Sequence, residues 1–120
     1  MALILIVTDE PDILLELRRD LEAHGHESVL AADADTAMKR LSVLPIEAVV
    51  LDVMMPVRDG WTVLEALGDG RHRAPVIVVS GRAGPLDLAR ARRMGAFGSL
   101  AFPVSAEQLN QAVAQALVSG

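Results

Sequence analysis

The chain has 120 residues, 52% of them hydrophobic and 22% charged, which is enough for one globular domain with its own core. Its 11 basic and 16 acidic residues give a formal net charge of -5, which disfavours a nucleic-acid-binding surface. The chain contains no cysteine, so it has no disulfide or thiolate site. The first apolar run is too short to span a membrane, so we expect residues 1–120 to form a single cytoplasmic domain without membrane or nucleic-acid contacts.

The first half of the chain alternates short apolar runs with stretches of helical period. Pro11 is suited to the first turn of a helix, and Gly25 is suited to ending it. Between them, apolar residues recur at the spacing of one buried helix face. In chain order, the predicted elements are a strand at Leu3–Val7, a helix from Pro11 to Gly25, a strand at Glu27–Ala31, a helix capped by Asp33 or Asp35 that runs to about Val43, and a strand at Ala48–Leu51.

The second half of the chain repeats the same alternation. Gly95 is placed to end one helix, and Ser105 is placed to cap the next. In chain order, the predicted elements are a short helix at Trp61–Leu67, a strand at Val76–Val79, a helix at Leu86–Met94, a less regular strand at Gly98–Phe102, and a helix after Ser105 with Leu109, Val113 and Leu117 facing inward.

Five strands that alternate with five helices predict an α/β fold, a doubly wound parallel sheet with helices on both faces. We expect the flavodoxin-like strand order 2-1-3-4-5, in which the first, third and fourth strands are neighbours. Asp9, Asp52 and Ser80 follow or end these three strands, so they are expected to meet at one edge of the sheet. Ligands of open α/β sheets bind at such an edge, which makes Asp52 the first candidate for chemistry.

Four segments in this order resemble the receiver domain of two-component response regulators over the whole chain. The segments are Ile4–Pro11, Val50–Pro56 followed by Asp59-Gly60, Pro75–Gly81, and Gly95-Ala96 leading to Phe102-Pro103. The resemblance implies that Asp52 is the phosphoryl acceptor and Ser80 the switch hydroxyl. It also implies a Mg²⁺ ion held by Asp9, Asp52 and the backbone carbonyl of Met54.

The chain departs from the pattern of this family at several positions, among them Ser80, which is smaller than the usual switch threonine but still carries a hydroxyl. Thr8 replaces one of two acidic residues that hold the metal, so we expect Mg²⁺ to bind weakly or not at all. Phe102 stands where the family has a lysine that contacts the phosphoryl group, and Ser99 stands where it has a switch aromatic. We therefore expect a degenerate acceptor site in a bacterial signalling domain that acts mainly by protein–protein interaction.

Two alternatives stay open at this stage. In one, a histidine kinase still phosphorylates Asp52 with Mg²⁺, and Arg58 or Arg82 supplies the missing positive charge. The remote alternative is a phosphatase with an aspartate nucleophile, but such enzymes need a second carboxylate two residues later, where this chain has Met54. We expect a phosphoryl acceptor at most, with residual self-dephosphorylation, and not an enzyme.

The resemblance also implies a partner-binding face. In this family, signalling proteins commonly bind the surface formed by the fourth helix, fifth strand and fifth helix. Here these are Leu86–Met94, Gly98–Phe102 and Ser105–Leu117. The fourth helix carries a basic patch, Arg90, Arg92 and Arg93, that is suited to docking. We expect a histidine kinase or another signalling protein to bind there.

Overall fold

A computed structural model describes residues 1–53, 60–67, 74–80 and 85–119, except for the side chains of residues 85–88 and 119. The predicted elements are present within one or two residues at most ends. The strands are β1 (Leu3–Val7), β2 (Glu27–Ala31), β3 (Ala48–Asp52), β4 (Val76–Ser80) and β5 (Gly98–Ala101), and the helices are α1 (Pro11–Ala23), α2 (Ala34–Val43), α3 (Gly60–Leu67), α4 (Pro85–Arg93) and α5 (Ala106–Ser119).

Several predicted boundaries differ by one residue, at β3, α3, β4, α4 and β5, and the last strand and the fourth helix show why. The fifth strand ends at Ala101 and excludes Phe102, whose backbone N–H still donates to the Ser80 carbonyl at 2.7 Å. The next residue, Pro103, has no N–H with which to continue the ladder. The fourth helix covers Pro85–Arg93 because proline is favoured in a first helical turn, and the chain leaves the helix through Gly95 at a φ of +100°.

The sheet has the predicted order, β2-β1-β3-β4-β5, and every neighbouring pair of strands is parallel. Val7 pairs with Leu51, Asp52 with Val79, and Ser80 with Ala101. The carboxyl ends of the strands therefore lie along one edge of the sheet. This edge carries the candidate site.

Alternate residues of the central strands face two separate apolar cores. Leu5, Val49 and Val78 belong to the core beneath α2, α3 and α4. Ile4 and Val50 belong to the other core, which also contains buried leucine, valine and alanine residues of α1 and α5. A sheet covered on both faces requires strands that are apolar on both sides. This explains why these strands appear in the sequence as unbroken hydrophobic runs.

Side-chain caps fix the starts of two helices. Of the two predicted alternatives for α2, Asp33 is the cap, because its Oδ1 accepts a hydrogen bond from the Thr36 N–H at 2.8 Å. At α5, Ser105 Oγ accepts from the Gln108 N–H at 3.0 Å, and Gln108 Oε1 accepts from the Ser105 N–H at 3.1 Å. This reciprocal pair is a capping box, which confirms Ser105 as the predicted cap.

Within the described part of the chain, no helix combines the length and apolar character that crossing a membrane requires.

Candidate functional site

Asp52 is the last residue of β3, and its side chain is almost fully buried, with 2% of its surface exposed. The first residue of α3, Gly60, packs directly against the backbone behind it. A Cβ atom at Gly60 would overlap Val53 and would lie 2.5 Å from the Asp52 carbonyl oxygen. Only glycine allows this close approach, so α3 begins immediately beside the candidate acceptor.

Thr8 hydrogen-bonds Asp52 directly. The Thr8 hydroxyl donates to Asp52 Oδ2 at 3.0 Å, and only 2% of the threonine is exposed. The same hydroxyl oxygen accepts a hydrogen bond from the Glu10 N–H at 3.2 Å. With both interactions made, the hydroxyl is fixed between β1 and β3. It therefore offers Asp52 a neutral donor at the position where the family resemblance implied a second carboxylate.

Asp9, the next residue, differs from Thr8 because its side chain has no hydrogen-bond partner among the described residues. Both of its carboxylate oxygens are buried, and within the described residues neither has a hydrogen-bond partner. A buried carboxylate without a partner is unfavourable, so this group is suited to a cation or a hydrogen-bond donor that completes it. Among the described residues, however, no group of three or more His, Cys, Asp or Glu side chains is arranged to hold a metal ion.

Ser80 and Phe102 lie on the far side of Asp52 from Thr8. Ser80 ends β4, the strand next to β3, and is 1% exposed. Phe102 is partly buried and packs against the apolar core that includes Val79 and Leu109. Its side chain therefore contributes hydrophobic contact at a position where the resemblance implied an ammonium group.

Asp52 and Ser80 end the adjacent strands β3 and β4, and Thr8 and Asp9 follow the end of β1, so Asp9, Asp52 and Ser80 lie at the same edge of the sheet, as the strand order predicted. Three candidates lie outside the described residues, namely the Met54 carbonyl, Arg58 and Arg82. Their predicted roles stay predictions.

Sequence reasoning missed two contacts. It treated Thr8 only as a lost carboxylate, although a threonine after an apolar strand can hydrogen-bond an acid on the neighbouring strand. It also missed that the Arg90 guanidinium lies over the Trp61 ring, 4.3 Å from its centroid, which joins α4 to α3. No spacing rule connects two residues so far apart in the sequence.

The family model for the response regulator receiver domain matches residues 4–114. The chain belongs to this family. It is thus a receiver domain of two-component signal transduction, a class of domain that interacts with histidine kinases and other signalling proteins.

Curated relatives agree with this assignment. The alkaline phosphatase synthesis transcriptional regulatory protein PhoP of Bacillus subtilis is 29% identical over 110 residues, which cover 92% of this chain and 46% of PhoP. The transcriptional regulatory protein PrrA of Mycobacterium tuberculosis is 35% identical over 100 residues, which cover 83% of this chain and 43% of PrrA. The receiver domain therefore spans less than half the length of either relative.

Solved structures show the same fold. The receiver domain of NtrX from Brucella abortus superposes with a TM-score of 0.90 at 29% identity, covering 98% of this chain and 99% of that one. A CheY-like receiver domain protein from Methanospirillum hungatei gives a TM-score of 0.87 at 25% identity, covering 99% of this chain and 95% of that one.

Proposed function

We propose that this receiver domain is a cytoplasmic signalling module with a degenerate acceptor site and that it works mainly through protein–protein contacts. The observation that carries the proposal is the buried hydrogen bond from the Thr8 hydroxyl to Asp52 Oδ2. It gives the acceptor carboxylate a neutral partner that is part of the protein. Asp52 is thereby stabilised in its unmodified form.

The position of Phe102 supports the same reading. Transfer of a phosphoryl group to a carboxylate brings two negative groups together, so positive charge must offset their repulsion. The backbone of Phe102 is held to Ser80 by a 2.7 Å hydrogen bond, while its side chain packs into the apolar core. A phenyl ring there supplies no charge and no hydrogen-bond donor to a phosphoryl oxygen.

Asp9 supports a residual metal site of low affinity. Its two buried oxygens lack partners, and hard carboxylate oxygens are the ligands that Mg²⁺ prefers. Asp9, Asp52 and the Met54 carbonyl would hold the ion. When bound, Mg²⁺ would neutralise part of the charge on the acceptor. With Thr8 replacing a carboxylate, the site carries one negative charge fewer, which lowers its affinity for the ion.

Phosphorylation of Asp52 by a histidine kinase is the second candidate function. The unpartnered oxygens of Asp9 favour it, as does the retained Ser80 hydroxyl at the end of β4. In either case we propose a phosphoryl acceptor at most, with residual self-dephosphorylation, and not an enzyme. We propose no nucleic-acid contact for this segment because of its net charge of -5.

For partner binding we propose the face formed by α4, β5 and α5. Arg92 and Arg93 are exposed in the last turn of α4, and Phe97 is 40% exposed just before β5. Exposed arginine and aromatic side chains are enriched in protein interfaces. Ser99 on β5 cannot act as the switch aromatic, so this face is expected to change little when Asp52 is modified.

The test is incubation with acetyl phosphate and Mg²⁺, followed by intact-mass spectrometry. We expect no stable addition to the wild-type chain. The double substitution Thr8→Asp with Phe102→Lys restores the missing carboxylate and ammonium and should allow one phosphoryl group to be added. Adding Asp52→Ala to this variant should abolish the addition.

Two controls make the result decisive. Thr8→Asn with Phe102→Leu changes the same positions without adding charge and should stay unmodified. Circular dichroism checks that each variant is folded. A stable phosphoryl group on the wild-type chain that disappears in Asp52→Ala would overturn the degenerate-site proposal in favour of the second candidate.

A further inference from the structure

The Arg90 side chain connects α4 to α3 through the only tryptophan of the chain. Its guanidinium carbon lies 4.3 Å from the centroid of the Trp61 ring, within the range of a cation–π interaction. Trp61 is 9% exposed and belongs to the apolar core beneath α2, α3 and α4. A cation held over a ring that is shielded from water is attracted more strongly than one over an exposed ring. Arg90 is thus attached to a buried part of α3.

The start of α3 is itself fitted against the backbone of the acceptor strand. Gly60 precedes Trp61, and a Cβ atom at Gly60 would lie 2.2 Å from Val53 Cα and 2.5 Å from the Asp52 carbonyl oxygen. This close approach involves the backbone of Asp52 and not its carboxylate. A change in the state of the carboxylate therefore leaves the contact beneath Trp61 in place.

The last part of α4 has few other attachments to the core. Among the side chains of residues 89–93, which the structure describes, only Ala91 is buried. Ala91 belongs to the same core as Trp61, but its methyl group has little apolar surface to bury. Arg92 and Arg93 are exposed. In this part of α4 the described attachments to the core are therefore Ala91 and, through Trp61, Arg90.

No aromatic side chain of β5 shares this task. Ser99 stands at the position of the switch aromatic, and Phe102, just after β5, packs against the core on the opposite side of the sheet. The aromatic contact of α4 is made by α3 instead. It joins the proposed partner-binding face to a part of the molecule that the Asp52 side chain does not touch through Gly60.

We propose that Arg90 and Trp61 form a lock that holds α4 in one position, whatever the state of the Asp52 carboxylate. The lock rests on the proposed partner-binding role of α4 and adds how that role is regulated. Arg90 is a positioning residue, which keeps the last turn of α4 against a ring fixed at the start of α3. A partner then meets Arg92 and Arg93 in the same arrangement at all times.

The experiment is amide hydrogen exchange, measured by NMR on the wild type and on Arg90→Gln. Glutamine has about the helix propensity of arginine but no charge. The reporters are the Met94 N–H, which donates to the Arg90 carbonyl, and the Ala96 N–H, which donates to the Ala91 carbonyl, each at 3.0 Å. Relative to the amides of β1 and β3, both should exchange about two- to tenfold faster in the variant, because one cation–π contact is lost.

Matched variants separate the lock from a general effect of charge at the helix end. Arg92→Gln makes the same change at an exposed side chain two residues further along α4 and should leave the exchange of Met94 and Ala96 unchanged. Arg90→Lys keeps a cation and should retain most of the protection. Asp52→Asn should also leave both reporters unchanged. In the wild type, the δ-methylene protons of Arg90 should resonate upfield of those of Arg92, because they lie near the face of an indole ring.

Three results would overturn the proposal. The first is equal exchange of the two reporter amides in the wild type and Arg90→Gln. The second is an equal gain in exchange in Arg92→Gln, which would assign the effect to helix charge. The third is faster exchange in Asp52→Asn, which would tie α4 to the carboxylate. A stable phosphoryl group on the wild-type chain is a separate failure, since it would overturn the degenerate site and would not alter the exchange measured in the unmodified variants.

Discussion

Replacing Thr8 with valine should destabilise the domain by about 2–4 kcal/mol. Valine keeps the β-branched shape and removes the hydroxyl that donates to Asp52 Oδ2 at 3.0 Å. Loss of a hydrogen bond to a buried charged group costs about 1.5–3 kcal/mol, and the loss of an acceptor for the Glu10 N–H adds about 0.5–1.5 kcal/mol. For a domain of this size the melting temperature should fall by about 8–16 °C.

The assay is urea unfolding followed by the fluorescence of Trp61, which is the only tryptophan and is 9% exposed. Thr62→Val is the matched control, since Thr62 is exposed on α3, and it should change stability by no more than about 0.5 kcal/mol. A double-mutant cycle of Thr8→Val with Asp52→Asn should give a coupling energy of about 1–2 kcal/mol.

Equal stability of the Thr8→Val and Thr62→Val variants would refute the reasoning. It would mean that water satisfies Asp52 as well as the threonine does. A coupling energy near zero would show that the lost stability came from another contact of Thr8. In that case the hydrogen bond could no longer support the proposal that Asp52 is held in its unmodified form.

Three further predictions concern other parts of the molecule. Asp9→Asn should stabilise the chain by about 1 kcal/mol in buffer without divalent ions, because it removes an unpartnered buried charge. It should also abolish any rise in melting temperature caused by Mg²⁺. No gain in stability without divalent ions would contradict this. Gly60→Ala should cost about 2 kcal/mol or more in urea unfolding, because the new Cβ overlaps the backbone near the Asp52 carbonyl, and an unchanged midpoint would contradict it. Burial, with the positive charges of the N-terminal amine and of a nearby histidine, lowers the pKa of His26, whose Nδ1 accepts from the Ala2 N–H. The stability that the neutral ring contributes is therefore present above the unfolded pKa of about 6.5 and is lost as pH falls through the lower folded pKa. His26→Asn should flatten the pH dependence of the melting temperature. Equal slopes of melting temperature against pH in the wild type and the variant would contradict this.

The fold could be predicted from the sequence because each element carried its own local signal. Leu3–Val7 and Ala48–Leu51 are short apolar runs that suit buried parallel strands, and Pro11 and Gly95 mark a helix start and a helix end through their backbone preferences. The alternation of strands and helices then predicted a parallel sheet, and the order 2-1-3-4-5 was chosen from the orders that doubly wound sheets adopt. The one-residue errors at β5 and α4 arose where a proline decided the boundary, since Pro103 stops the ladder after Phe102 and Pro85 begins α4.

The candidate site could be predicted only in part. Strand ends placed Asp9, Asp52 and Ser80 at one edge, because parallel strands bring their carboxyl ends together. The direction of the Thr8 hydroxyl and the missing partners of Asp9 depend on side-chain geometry between strands, which a single sequence does not encode in any short spacing. The contact of Arg90 with Trp61 was beyond sequence reasoning for the same reason.

The separation of the two apolar cores by the sheet has a consequence for how the domain can vary. Substitutions beneath α1 and α5, for example at Leu17 or Val113, repack one layer only, while the layer that holds Leu64 and Val78 lies on the other side of the backbone. Changes in stability from opposite layers should therefore add independently. One side of the domain is thus free to acquire new binding specificity while the other keeps its inherited packing.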